Sequence, residues 1–193
     1  MWPWEHVAVG YLLVSLYRHA RYRDAPREAV AFAAVFGAAL PDLVDKPLSW
    51  GLGLFPEGYS VAHSVFVAAA VLALAYGLAY RTGHLSAGTA TAFAIGWGSH
   101  LVGDVLFPAV QGGRLAFARV LWPVVTLPPY EQRLGFFTRT MLYLHRHAEV
   151  TLARGLGPEL LLEVGMMLFV VVLWLYDGSP GLGLLRPGRS GSD

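Results

Sequence analysis

Apolar residues in this chain fall in long unbroken stretches rather than alternating with polar ones, which predicts helices and not half-buried strands. The first stretch, WEHVAVGYLLVSLY, runs from Trp4 to Tyr17. It is short for a span of about 20 residues, so tilt, local thinning or Arg snorkelling must help it cross a bilayer. The second covers residues 29–45 and contains Pro41, which predicts a kink or a stop near Leu40. The third, VAHSVFVAAAVLALAYGLAY, covers 61–80 and is the clearest span. The fourth covers 86–107, and a last one runs from Leu160 to Tyr176. Between them, LAFARVLWPVVTLPPY is apolar but broken by Pro123, Pro128 and Pro129, so residues 108–133 read as a re-entrant or interfacial piece. Residues 134–154 have the pattern of an amphipathic helix lying along a surface. The expected fold is all-α: a polytopic transmembrane bundle of about five spans plus that re-entrant piece. Residues 1–178 form one domain in this reading, and 179–193 a disordered Gly/Ser/Arg tail.

The polar residues that interrupt this pattern are not scattered. His6 lies near the start of the first stretch, and Asp42 and Asp45 at the end of the second. His63 lies near the start of the third, and His100 and Asp104 near the end of the fourth. If each stretch crosses the bilayer, starts of odd spans and ends of even spans share one face. All six residues are of metal-ligand type. His19 and His84 fall on the opposite face and are set aside.

Composition agrees with a membrane protein: 55% hydrophobic and only 14% charged, against about 25% charged in an ordinary soluble domain. The formal net charge of +1 gives no argument for nucleic acid. Cysteine is absent, which excludes disulfides and thiolate ligands. The MWPWEHV start lacks the basic region and small-residue site of a cleavable leader. Four Arg lie in residues 18–28 and Arg81 follows the third stretch, whereas the opposite loop has only Lys46. The positive-inside rule then puts the six ligands on the extracytoplasmic side of the cell membrane, against the counter-signal of six Arg in residues 108–158.

His100 and Asp104 stand at i, i+4 and share a helix face; small residues Ala92 and Gly96 continue that stripe and allow close approach of a neighbour. Imidazole with carboxylate suits Zn²⁺, Mn²⁺ or Fe²⁺. The bland alternative is a His–Asp bond that locks two helices. Asp42 and Asp45, at i, i+3, repel each other unless a cation or a proton intervenes; the alternative is a solvated helix end. His63, with Ser64 as a candidate second-sphere partner, and His6, beside Glu5, are each compatible with simple interfacial residues. Ionisable groups at membrane depth are nonetheless functional candidates, and three His with three Asp could hold one metal or two. His145 and Glu149, in HRHAE, form a second i, i+4 pair that either joins this site or sits on an interfacial helix with Arg139 and Arg146 on its polar side.

His6 opening the first helix, the PDxxD step of Pro41–Asp45, His63–Ser64 after a polar loop, and the SHxxxD step of Ser99–Asp104 together resemble the membrane-bound metal-dependent hydrolases of the LexA-binding, inner-membrane-associated type. The likeness covers about residues 1–125, and the closing WLYDGSPG is similar to that of archaeal members. The chain departs from many members in having Tyr59-Ser60-Val61-Ala62 before His63. There is a looser similarity in ligand type to the zinc-dependent phospholipase C and nuclease group. The resemblance implies a multi-pass membrane protein with a divalent metal, Zn²⁺ first, and hydrolase activity. The resemblance carries no substrate; the residues themselves suggest Asp45 or Asp104 as proton acceptor and Arg114 or Arg119 steadying an anion, and a site at the membrane surface suggests an amphiphilic or lipid-linked phosphate substrate. The competing class is a non-catalytic metal-binding or transport protein, although its ligands would be expected near mid-membrane and in repeats.

Overall fold

The computed structural model describes residues 1–83, 86–155 and 157–185. Among them the protein is all-helical, with six helices: α1 (Pro3–Tyr22), α2 (Glu28–Lys46), α3 (Val65–Thr82), α4 (Ala87–Val110), α5 (Phe136–Arg154) and α6 (Pro158–Tyr176). Two of them, α3 and α4, are long and apolar enough to cross a membrane, and Leu160–Tyr176 is a shorter apolar helix. α3 leaves Phe66, Leu74 and Leu78 exposed and buries only Ala68. An apolar surface of this extent is poorly tolerated by water but matches hydrocarbon.

The centre of the molecule is the packing of α1, α2 and α4, with α3 against α4 and α6 against α1. Side chains at the crossings are small. A Cβ on Gly96 would collide with the Ala34 carbonyl and the Ala38 amide, and one on Gly37 would stand 2.5 Å from the Phe93 carbonyl oxygen. Those two glycines let α2 and α4 meet backbone to backbone, as small residues do in membrane bundles. Val14, Val30, Ala33, Ala34 and Ala92 fill one layer, and Ala62, Trp97, Leu101, Val105 and Val120 fill another nearer the ligands.

α2 does not stop at Leu40 but continues through the buried Pro41 to Lys46. Proline gives no N–H to the carbonyl four residues back, that of Gly37; one residue further on, the Ala38 carbonyl accepts a side-chain bond from His100 on α4. α3 begins later than the hydropathy suggested, at Val65: the Ser64 hydroxyl accepts from the Phe66 and Val67 amides, capping the helix, and donates to the Trp122 carbonyl at 2.6 Å. Ser64 is therefore an N-cap rather than a partner of the His63 ring, and residues 61–64 are a turn. The proline-broken segment after α4 makes no span: it forms a short 3₁₀ turn, Phe117–Val120, whose Val120 is buried in the core.

Far from the ligands, Tyr11, Ser15 and His19, successive along one face of α1, all bond the buried carboxylate of Asp177 at 2.7 Å and hold the end of α6. In the segment 179–185 the Gly181 and Gly183 amides donate to the Glu28 carboxylate. The rest of the expected tail, 186–193, and His84 lie outside the described residues. On α5, Phe137, Met141 and Leu152 are exposed, and His145 pairs with Glu149 at 3.3 Å. Arg139, expected on the polar side of that helix, is instead 5% exposed.

Candidate metal centre

Alternation of the helices carries His6, Asp42, Asp45, His63, His100 and Asp104 to one end of the bundle, where five of the six turn their donor atoms toward each other. His63 Nε2 lies 3.5 Å from Asp42 Oδ1 and 3.4 Å from Asp104 Oδ2. His100 Nε2 lies 3.4 Å from Asp104 Oδ2 and 3.9 Å from Asp42 Oδ1. His6 Nε2 lies 3.3 Å from Asp104 Oδ1, and the His6 ring stacks on His100 with centroids 3.6 Å apart. Two overlapping sets, His6–His100–Asp104 and Asp42–His63–His100, each bring three candidate ligand atoms within 4.8 Å of one another.

Hydrogen bonds behind the imidazoles fix which nitrogen faces inward. A carbonyl oxygen only accepts, so the 2.6 Å contact of His100 Nδ1 with the Ala38 carbonyl requires a proton on Nδ1. His63 Nδ1 donates to Asp45 Oδ2 at 2.8 Å. In the neutral rings both Nε2 atoms then carry lone pairs, and these face each other at 3.2 Å. Two lone pairs at that distance repel unless both bind one electrophile, a proton or a metal ion. Ligands about 2.0–2.2 Å from a divalent ion stand about 3–3.5 Å from one another, which most of the donor separations match. His6 Nδ1 is buried with no hydrogen-bond partner. The donor set therefore fits a divalent cation on both geometry and chemistry.

Asp45 stands behind this group. Its fully buried carboxylate accepts from the Ser60 amide at 2.8 Å, the Ala62 amide at 3.0 Å, the His63 amide at 3.0 Å and the His63 ring. It belongs to neither donor set. The carboxylate expected among the ligands, and as a proton acceptor, instead shapes the 60–63 turn and orients His63, as second-sphere carboxylates do for ligating imidazoles.

Burial alone would depress the His63 imidazole, but Asp104, Asp42 and Asp45 outweigh it and raise it to about 9. The cluster is therefore a site of strong negative potential. Two cations flank it: Lys46 Nζ lies 3.3 Å from Asp42, and Arg119 donates to the Asp104 carbonyl at 3.2 Å. Both also lie against the Tyr59 ring, Lys46 at 4.2 Å and Arg119 at 4.8 Å, and Tyr59 in turn meets the His63 ring edge-on. Burial pushes the Tyr59 hydroxyl up to about 12. Arg114 is exposed on the loop after α4, and His145 and Glu149 join neither donor set.

Sequence reasoning missed Lys46, Tyr59 and the Ala38 carbonyl. Lys46 had a legible signal, its i, i+4 spacing from Asp42. The carbonyl had none, since its role depends on the α2–α4 crossing.

Fold and site together define a helical membrane protein with a buried His/Asp cluster that can hold a metal ion. The family model described as YdjM inner membrane protein matches residues 1–179, and the chain belongs to that family. No curated protein and no solved structure matches the chain.

Proposed function

We propose that this protein is a multi-pass, membrane-embedded metal-dependent hydrolase with its metal centre at the extracytoplasmic edge of a roughly five-span bundle. The observation that carries the reading is the 3.2 Å approach of the inward Nε2 atoms of His63 and His100, with carboxylate oxygens of Asp42 and Asp104 beside them. His6, Asp42, His63, His100 and Asp104 would hold one divalent ion or two, Zn²⁺ before Mn²⁺ or Fe²⁺ because of the imidazole-rich donors. When bound, the ion supplies Lewis acidity and brings the pKa of water toward neutrality.

The chain's own residues supply the rest. Asp42 keeps 14% of its side chain exposed, against 3% for Asp104, and is the donor carboxylate open to an incoming water whose proton it accepts. Asp45, with four N–H contacts, holds His63 and takes no part in proton transfer. Arg119 and Lys46 favour an anionic substrate, and a site at the membrane edge favours a phosphoester of amphiphilic or lipid-linked type. The test is turnover: metal-loaded protein in detergent, assayed on phosphodiester and lipid-phosphate panels, hydrolyses at least one class, and Asp42→Asn abolishes that activity while keeping the fold. Metal-loaded, folded protein that turns over none of them would instead support a binding or transport role.

A further inference from the structure

A separate cavity of about 440 Å³ lies beside the metal centre, between the wide helical turn Pro47–Gly51 that ends α2 and the start of α5. None of the metal donors lines it. Its walls include Trp50, Leu52, Phe55, Tyr130, Arg133 and Arg139, and no Asp or Glu. Arg139 is the anomaly. Its guanidinium is buried, lies 3.8 Å from the Tyr130 ring centre, and donates to the Gln132 carbonyl and, at 3.5 Å, to the Tyr143 hydroxyl. Its Nε has no hydrogen-bond partner, and among the described residues no carboxylate forms an ion pair with it. A buried cation without a counter-charge is costly. The neighbouring Arg133 is exposed and adds a second positive group at the same cavity.

We infer that this cavity binds a phosphate-bearing amphiphile, its phosphate held by Arg139 and Arg133 and its apolar part against Leu52, Phe55 and Trp50. A guanidinium fork matches phosphate oxygens, two cations match the charge of a phosphomonoester, and the apolar walls take a chain that free phosphate lacks. Leu52 is 69% exposed, so the apolar wall of the cavity is open at the protein surface. The site stands independently of the metal reading, because its residues and its test involve neither the donors nor turnover.

The test is equilibrium binding to purified full-length protein, with dioleoyl phosphatidate in nanodiscs, dioleoyl phosphatidylcholine in nanodiscs, and inorganic phosphate as three arms. Phosphatidate is expected to bind and raise the unfolding temperature, and phosphatidylcholine to do neither. Arg139→Gln weakens phosphatidate binding at least about tenfold, the value of one charged hydrogen bond or more. Because Arg139→Gln also removes two hydrogen bonds within the protein, Leu52→Glu provides a second reading: it adds a negative charge at an exposed wall and weakens phosphatidate binding while leaving Arg139 untouched. Equal binding of the two lipids, or phosphatidate binding unchanged in folded Arg139→Gln or Leu52→Glu, overturns the inference. Inorganic phosphate binding as tightly as phosphatidate assigns the cavity to a free anion and overturns the amphiphile.

Discussion

Replacing Asp45 by Asn separates an orienting carboxylate from a metal ligand. Asp45 accepts four N–H groups, from the Ser60, Ala62 and His63 amides and from His63 Nδ1, all within 3.0 Å and all buried. Asparagine has one acceptor oxygen and turns an NH₂ toward donors already aimed at that position. At least one buried N–H loses its acceptor, at about 1–3 kcal/mol. The bonds that survive change from charge-assisted to neutral and weaken by roughly half. Together these predict a loss of about 3–5 kcal/mol, the range for removing one partner of a buried pair. Metal binding responds differently. The ligating atoms of Asp42, His63, His100 and Asp104 remain, but the His63 ring loses the bond that fixes its tautomer, so affinity falls about 10–100-fold with stoichiometry kept. Thermal unfolding in detergent, paired with metal content after equilibration at graded free Zn²⁺, measures both. A folded Asp45→Asn with wild-type affinity and unfolding temperature refutes the orienting role. Complete loss of metal at saturating Zn²⁺ would make Asp45 a direct ligand.

Gly96→Val forces α2 and α4 apart at the Ala34 carbonyl; it should destabilise by about 3 kcal/mol or more, near or past the upper end for overpacking, whereas Gly98→Ala, which meets nothing nearby, leaves the unfolding temperature within a few degrees. Burial raises the Glu57 carboxyl from 4.5 to about 7. A raised carboxyl contributes stability below its unfolded pKa that is lost as pH climbs through the folded value, so the protein loses on the order of 3 kcal/mol between pH 4.5 and 7 through this group. Glu57→Gln should remove that slope, matching wild type at pH 4.5 and exceeding it at pH 8 in thermal unfolding; an unchanged slope rejects the assignment. The cysteine-free sequence makes labelling of Tyr22→Cys and Leu54→Cys unambiguous: an impermeant thiol reagent applied to intact cells should reach position 54 and not 22, and the reverse pattern inverts the proposed orientation.

What the sequence made legible follows from period and spacing. Helical class, the five apolar stretches and the single end to which His6, Asp42, His63, His100 and Asp104 converge all derive from hydropathy and alternation. The i, i+4 spacing of His100 and Asp104 and the small stripe Ala92–Gly96 anticipated the close α2–α4 crossing. Boundaries failed where a side chain outweighed hydropathy: Val61 and Ala62 are apolar, but their turn presents amides to Asp45, and Ser64 starts the helix only after it. Asp45 was grouped with the ligands because i, i+3 spacing puts two carboxylates on one face without saying which meets the other donors and which meets a loop; in the structure it lies outside both donor sets. Arg139 looked like a surface residue because amphipathic periodicity does not report that the Pro47–Gly51 turn and Tyr130 cover that face of α5.

The central claim, that the convergent His and Asp donors hold a divalent metal, is tested most directly by elemental mass spectrometry of the purified protein after exposure to Zn²⁺, Mn²⁺ and Fe²⁺ and removal of free ions. The wild-type protein should retain about one or two tightly held ions per chain, and Asp104→Asn and His100→Ala proteins of unchanged helicity at least about tenfold less. Wild-type protein that retains no ion, or variants that retain as much as wild type, would contradict the claim.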